Sequence, residues 1–178
     1  MKMDKVANSG NDEFYTPVYA ITPLLKYLKP NSNIWCPFDT EDSNFVKELI
    51  KAGHNVKYSH LEFGEVFNFF NMMSNKCWAG YDYIISNPPY SLKGEVLERL
   101  FNCGIPFAML VGVVGLFESS KRFTKFKEHD FEIMYFDKRV AYFKDYNEQK
   151  PSLNPPFSSV YICSGILPKQ IVFEKINK

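Results

Sequence analysis

Eight consecutive residues, Tyr83-Ile84-Ile85-Ser86-Asn87-Pro88-Pro89-Tyr90, constrain the fold of this chain more than any other segment. The first four are short, apolar and β-branched, which suits a strand buried on both faces. Pro88 and Pro89 then withhold two backbone N–H donors and fix φ, so the chain leaves the sheet and runs extended just past its edge. Residues 94–103 read as a helix and residues 107–113 as a second apolar strand. Strand, crossover helix and strand in that order make an α/β unit.

The same alternation runs through the rest of the chain. Thr16 and Pro17 open a helix over residues 16–28, the hydroxyl acting as cap and the proline taking the first helical position. Val18, Ile21, Leu24, Leu25 and Leu28 give that helix one apolar face. Residues 33–36 form a short buried strand, residues 43–52 a helix stopped at Gly53, and residues 55–60 the next strand. Residues 61–80 hold no more than a short strand or a helical turn. Residues 120–128 are helical, residues 131–136 and 139–143 strand-like, and residues 144–156 a proline-bearing loop. Residues 159–163 and 171–173 are the last strands. The expectation is an open, mostly parallel, twisted sheet with helices on both faces and a ligand site at the carboxyl ends of its strands.

At 178 residues the chain has the size of one domain, spanning 1–178. A 17% aromatic share, carried mainly by Phe and Tyr, points to a core built from rings. The 21 basic residues nearly cancel the 20 acidic ones, and a net charge of +1 argues against a basic nucleic-acid coat while leaving room for a local patch. Cys36, Cys77, Cys103 and Cys163 show no CxxC spacing, so a zinc ribbon or disulfide framework is excluded and no metal is expected. The polar start lacks the apolar stretch of a signal peptide, and no run is long enough to span a bilayer. A cytoplasmic protein with no membrane partner is the expectation.

Chemistry enters just beyond the strand end. There the Asn87 carboxamide oxygen is a hydrogen-bond acceptor, the Pro88 carbonyl is a second, and the Tyr90 ring can lie flat against a planar group. Two acceptors and a stacking ring suit a planar amino or amide nitrogen, whose hydrogens are bound while its lone pair turns toward an electrophile. A proline turn that merely closes a strand is the plainer reading of the same residues.

Asn87-Pro88-Pro89-Tyr90 after its strand resembles motif IV of the S-adenosylmethionine-dependent N6-adenine DNA methyltransferases. Over roughly residues 11–163 the pattern is most similar to the small enzymes of that kind from phages and prophages. Phe14-Tyr15-Thr16-Pro17 resembles the family's motif X, which implies that Tyr15 and Thr16 pack against the cofactor. Ile34-Trp35-Cys36-Pro37-Phe38-Asp39 resembles a degraded motif I, which implies that Pro37, Phe38 and Asp39 wrap the cofactor's methionine end. Cys36 stands where the family has an acid, and no glycine follows before Gly53. The second strand ends in Ser59 and His60 where the family places an acid for the ribose hydroxyls, with Glu62 the nearest acid. Asn68-Phe69-Phe70 resembles the family's Asp-Phe-Phe segment, whose acid meets the cofactor adenine; a carboxamide still accepts but carries no charge. Residues 137–143 resemble motif VIII, which implies that Tyr142 or Phe143 stacks on a flipped base opposite Tyr90, with Lys138 and Arg139 as phosphate contacts.

The fold implied is a single Rossmann-like class I methyltransferase domain. It is shortened ahead of the Asn-Pro-Pro-Tyr strand, because only about 20 residues separate His60 from Tyr83, too few for a helix and a strand. The activity implied is methyl transfer from S-adenosyl-L-methionine to the exocyclic N6 of adenine in DNA, with Asn87, Pro88, Pro89 and Tyr90 as the catalytic segment. Two alternatives stand beside it. One moves the methyl group to an RNA base or a protein glutamine. The other is a catalytically inactive module of the same fold that binds cofactor or nucleic acid. A second Asn-Pro-Pro, Asn154-Pro155-Pro156, has no apolar strand before it and reads as a loop covering the pocket.

Overall fold

The computed structural model describes residues 14–144, 147–151 and 157–178. Asn154-Pro155-Pro156 lies outside the described residues. Seven strands form one sheet: β1 (Asn33–Cys36), β2 (Asn55–Tyr58), β3 (Tyr83–Ser86), β4 (Phe107–Gly112), β5 (Glu132–Phe136), β6 (Ser159–Ser164) and β7 (Ile171–Glu174). Their order across the sheet is β2-β1-β3-β4-β6-β5-β7. Pairing is parallel from β2 through β4 and again between β5 and β7, whereas β6 runs antiparallel to both of its neighbours. The helices are α1 (Val18–Leu25), α2 (Asn44–Lys51), α3 (Phe69–Ser74), α4 (Lys93–Cys103) and α5 (Ser120–Glu128).

Side chains that alternate along β3 and β4 feed two separate cores. Tyr83, Ile85, Ala108 and Leu110 meet α1 and α2 through Ile21, Leu24, Phe45 and Leu49. Ile84, Phe107, Met109 and Val111 face the other way, toward Val96, Leu97, Leu100 and Phe101 of α4 and Phe126 of α5. Both strands are buried along their whole length. This double coverage is why they read as unbroken apolar runs rather than alternating ones. The chain turns one way from β1 to β2 and the other way from β3 to β4. A crevice therefore opens between the carboxyl ends of β1 and β3, where ligands bind in open α/β sheets.

Local structure follows the residue chemistry closely at α2. Ser43 caps it by accepting from the Phe45 N–H at 3.2 Å. At its other end Gly53 adopts φ 90°, with bonds from Gly53 N–H to Ile50 O and from His54 N–H to Leu49 O. That pair is a Schellman closure, and it requires the left-handed conformation that glycine adopts without strain. The connection from β2 to β3 carries two single 3-10 turns, Leu61–Phe63 and Glu65–Phe67, and the six-residue α3, but no strand. β2 is consequently an edge strand with mostly exposed side chains.

Two expected elements differ. Thr16 does not cap α1: Pro17 occupies the N-cap position in an extended conformation with no side-chain cap, and Thr16 is buried beside Asn87. The helix also ends at Leu25 instead of running to Leu28. Its last turn tightens into bonds from Tyr27 N–H to Leu24 O and from Leu28 N–H to Leu25 O. Residues 139–143 form no strand. Val140, Ala141, Tyr142 and Phe143 are all buried, without alternation. A tyrosine hydroxyl takes the place of a sheet partner: Ala141 N–H donates to Tyr19 Oη at 2.8 Å. Among the described residues only Phe143 makes β-bridges there, antiparallel to Tyr15 and to Pro151. Among the described residues no helix is long and apolar enough to cross a membrane, and no cluster of His, Cys, Asp and Glu could hold a metal ion.

Candidate active site

At the crevice between β1 and β3 lies a cavity of about 350 Å³. The loop after β1 supplies Pro37, Phe38 and Asp39, and the turn after β2 supplies His60, Leu61 and Glu62. The start of α3 contributes Asn68, Phe69 and Phe70, while the segment after β3 contributes Asn87, Pro88 and Pro89. Phe14, Tyr15 and Thr16 close one side. Eleven of the residues expected at the site thus converge on one cavity from five places in the chain.

Asn87 is held in one orientation. Its Nδ2 donates to the Phe14 carbonyl at 2.7 Å and to Thr16 Oγ1 at 3.3 Å. Those contacts assign nitrogen and oxygen within the carboxamide, because neither a carbonyl nor a lone-pair-directed hydroxyl would face Oδ1 so well. Oδ1 is buried and has no hydrogen-bond partner among the described residues. A buried acceptor left without a donor costs about 1–3 kcal/mol, so this atom is available to a donor that enters the cavity. Pro89 closes the turn by accepting the Leu92 N–H at 3.0 Å.

Asp39 carries the charge of the cavity wall. Its carboxylate accepts hydrogen bonds from the hydroxyls of Ser43 and Ser86, which tie the loop after β1 to α2 and to the end of β3. Burial pushes its pKa up to about 6, and the two serine hydrogen bonds work against that rise. Cys36, three residues earlier, packs in the core, and burial raises its thiol well above the ordinary range. Asp39 is the first acid after β1, and it lines the cavity. Asp42 and Glu62 also line the cavity, and no Lys or Arg does so among the described residues. Such a wall suits a cationic ligand and disfavours a polyphosphate.

Other expected contacts are placed differently. Ser59 does not line the cavity. It is buried, accepting from Trp35 Nε1 at 3.0 Å, and its backbone accepts the Asp39 N–H, so it braces the loop from behind. The Asn68 oxygen caps α3 by accepting the Phe70 N–H at 2.9 Å, and the residue also lines the cavity. Phe69 is buried against Phe38 and Trp35. His60 Nδ1 accepts the Glu62 N–H and caps the first 3-10 turn.

Tyr90, Lys138, Arg139, Tyr142 and Phe143 lie outside the cavity lining. Tyr142 is fully buried, and its hydroxyl donates to Ser159 Oγ at 2.8 Å. Lys138 pairs with Asp137 at 3.8 Å and donates to the Ile176 carbonyl, which binds it to the C-terminal segment. Tyr90 sits in a cluster of rings that sequence reading does not foresee. Phe14 stacks on it at 4.9 Å and 22°, while Tyr142 and Phe157 meet it edge-on at 6.2 and 5.2 Å. No local signal links Phe14 to Tyr90 across the intervening helices; only the fold does. On α5, Lys121 pairs with Glu98 at 2.6 Å and Arg122 donates to the carbonyls of Gly115 and Leu116.

No family model matches the chain, and no curated protein matches it. Solved structures do. A modification subunit assigned to a type I restriction enzyme from Vibrio vulnificus aligns with a TM-score of 0.56 at 12% identity, covering 98% of this chain and 49% of that one. A SAM-dependent O-methyltransferase from Thermotoga maritima aligns with a TM-score of 0.47 at 12% identity, covering 93% of this chain and 71% of that one. The chain spans about half the length of the modification subunit it matches. What it shares with that subunit is a Rossmann-like mixed α/β fold, a seven-stranded sheet with helices on both faces.

Proposed function

We propose that the protein is an S-adenosyl-L-methionine-dependent methyltransferase acting on the exocyclic N6 amino group of adenine in DNA. The observation that carries this reading is the buried, unpartnered Oδ1 of Asn87, held in one orientation at the rim of the crevice. The fold likeness to a restriction-enzyme modification subunit supports DNA as the substrate.

The cavity fits the cofactor on its own chemistry. Its size falls within the usual range for small-molecule sites, and Phe38, Phe70 and Leu92 offer apolar surface. Asp39, Asp42 and Glu62 match the positive sulfonium and ammonium groups. When bound, S-adenosylmethionine supplies a methyl group already activated by its sulfonium. Asn87 Oδ1 accepts one amino hydrogen of the adenine and the Pro88 carbonyl accepts the other, which turns the nitrogen lone pair away from the ring. The same acceptors stabilise positive charge as it develops on that nitrogen. No side-chain nucleophile takes part.

A second reading is transfer to an RNA base or a protein glutamine; the engagement of Lys138 with Asp137 and Ile176 removes an expected phosphate contact, which favours the protein substrate over either nucleic acid. Transfer of labelled methyl groups from S-adenosylmethionine to unmethylated DNA, RNA and protein, followed by nucleoside and amino-acid analysis, separates the two. N6-methyladenine in DNA that vanishes with Asn87→Ala supports the first reading. Label in RNA or protein alone supports the second. Cofactor binding with no transfer to any of the three identifies an inactive module.

A further inference from the structure

Resting on that reading and deepening it, we propose that Phe14 is a built-in plug of the base site. Its ring occupies the face of Tyr90 on which the substrate base stacks, and the base enters by displacing it. Three observations carry this. First, Phe14 is the ring that lies nearly parallel to Tyr90, at 4.9 Å and 22°, the arrangement a nucleobase would adopt. Tyr142 and Phe157 present edges instead, at 82° and 69°. Second, Phe14 is half-buried, whereas Tyr142 is sealed in the core and hydrogen-bonded to Ser159. Of those two rings, Phe14 is the one with room to leave.

Third, the backbone around Phe14 is anchored independently of its ring. The Phe14 carbonyl accepts from Asn87 Nδ2, and Tyr15 exchanges backbone hydrogen bonds with Phe143 in both directions, at 3.3 and 2.9 Å. Rotation of the Phe14 side chain alone uncovers Tyr90. The contact that orients Asn87 survives that rotation, so the acceptor stays in place while the stacking surface is exchanged. Until a base arrives, the plug keeps the Tyr90 face covered by a ring rather than by water.

The test measures binding to the full chain saturated with S-adenosylhomocysteine. The probes are a short labelled single-stranded DNA with one adenine among thymines, and an all-thymine counterpart. Phe14→Ala removes the plug. Phe14→Leu keeps apolar bulk but removes the flat face, which guards against loss of folding in the smaller variant. Both are expected to bind the adenine strand about three- to tenfold tighter than wild type, since the stacked pair no longer competes. The gain should disappear in Phe14→Ala/Tyr90→Ala. Unchanged or weaker binding by folded variants overturns the proposal. So does a tenfold or greater loss of S-adenosylhomocysteine affinity, which would make the Phe14 ring a direct cofactor contact and not a plug. An equal gain for both strands supports displacement of the plug and overturns adenine as the preferred base. A gain in binding by variants of a protein that transfers no methyl group to DNA sustains the plug and overturns the DNA-methylation reading.

Discussion

Asn87 and Asp39 divide the work of the site between an oriented neutral acceptor and a buried charge. Replacing Asn87 with Ala removes the acceptor and releases Phe14 O and Thr16 Oγ1 from their shared donor. Loss of one such preorganised group lowers turnover by about 10²–10³-fold. Cofactor affinity, measured by titration calorimetry, should change little; a large loss there with turnover retained would overturn the role. Asp39 predicts a pH dependence. Its carboxyl ionises near 6 in the folded chain and near 3.8 otherwise, so the fold favours the protonated form. Stability from this group is present at low pH and is lost as pH rises through that window, by up to about 3 kcal/mol. Asp39→Asn has no proton to lose, so its melting temperature should gain on wild type as pH rises from 5 to 7.5. Cofactor affinity should run the opposite way, tightening in wild type as pH rises through 6, because the ionised carboxylate meets a cation. A flat affinity profile in wild type would place the cofactor elsewhere.

At the level of elements, Ser43 links helix geometry to site chemistry. It caps α2 through Phe45 N–H and donates to Asp39 with the same hydroxyl. Ser43→Ala should cost about 1 kcal/mol of stability from the lost cap. It should also move the pH midpoint of cofactor binding upward, because one hydrogen bond holding the Asp39 carboxylate down is gone. A stability loss with an unmoved midpoint would separate the two roles. Legibility in the sequence divides along similar lines. The β3 strand, the double proline and the following helix are written locally, in β-branching, missing N–H groups and periodicity, and so are α2 with its serine cap and glycine stop. Residues 139–143 are not, because their backbone partners, Tyr15 and Tyr19, lie more than a hundred positions earlier. Asn68 shows a second role that local sequence does not write: its carboxamide oxygen caps α3 through Phe70 N–H while the residue lines the cavity.

For the molecule as a whole, the crevice follows from strand order alone: two crossovers diverge from β1 and β3 and leave their carboxyl ends uncovered. Loops from five parts of the chain then meet there, so a ligand that bridges them should stabilise the whole fold. S-adenosylmethionine at a hundred times its dissociation constant should add about 2.7 kcal/mol, read as an upward shift in thermal unfolding. No shift at saturation would count against cofactor binding in this cavity. The position of β6 between β4 and β5 has a different consequence, in the order of synthesis. β4 pairs with β3 on one side but leaves the ribosome well before β6, its partner on the other, and β5 emerges in between with no neighbour in place. Until residue 164 has emerged, the nascent chain carries an apolar, hydrogen-bond-hungry flank that invites pairing with another chain. Productive folding of this protein is thus timed by its sixth strand, and a pause that holds residue 159 inside the ribosome should send more of it to aggregates than one that comes after residue 164 has emerged.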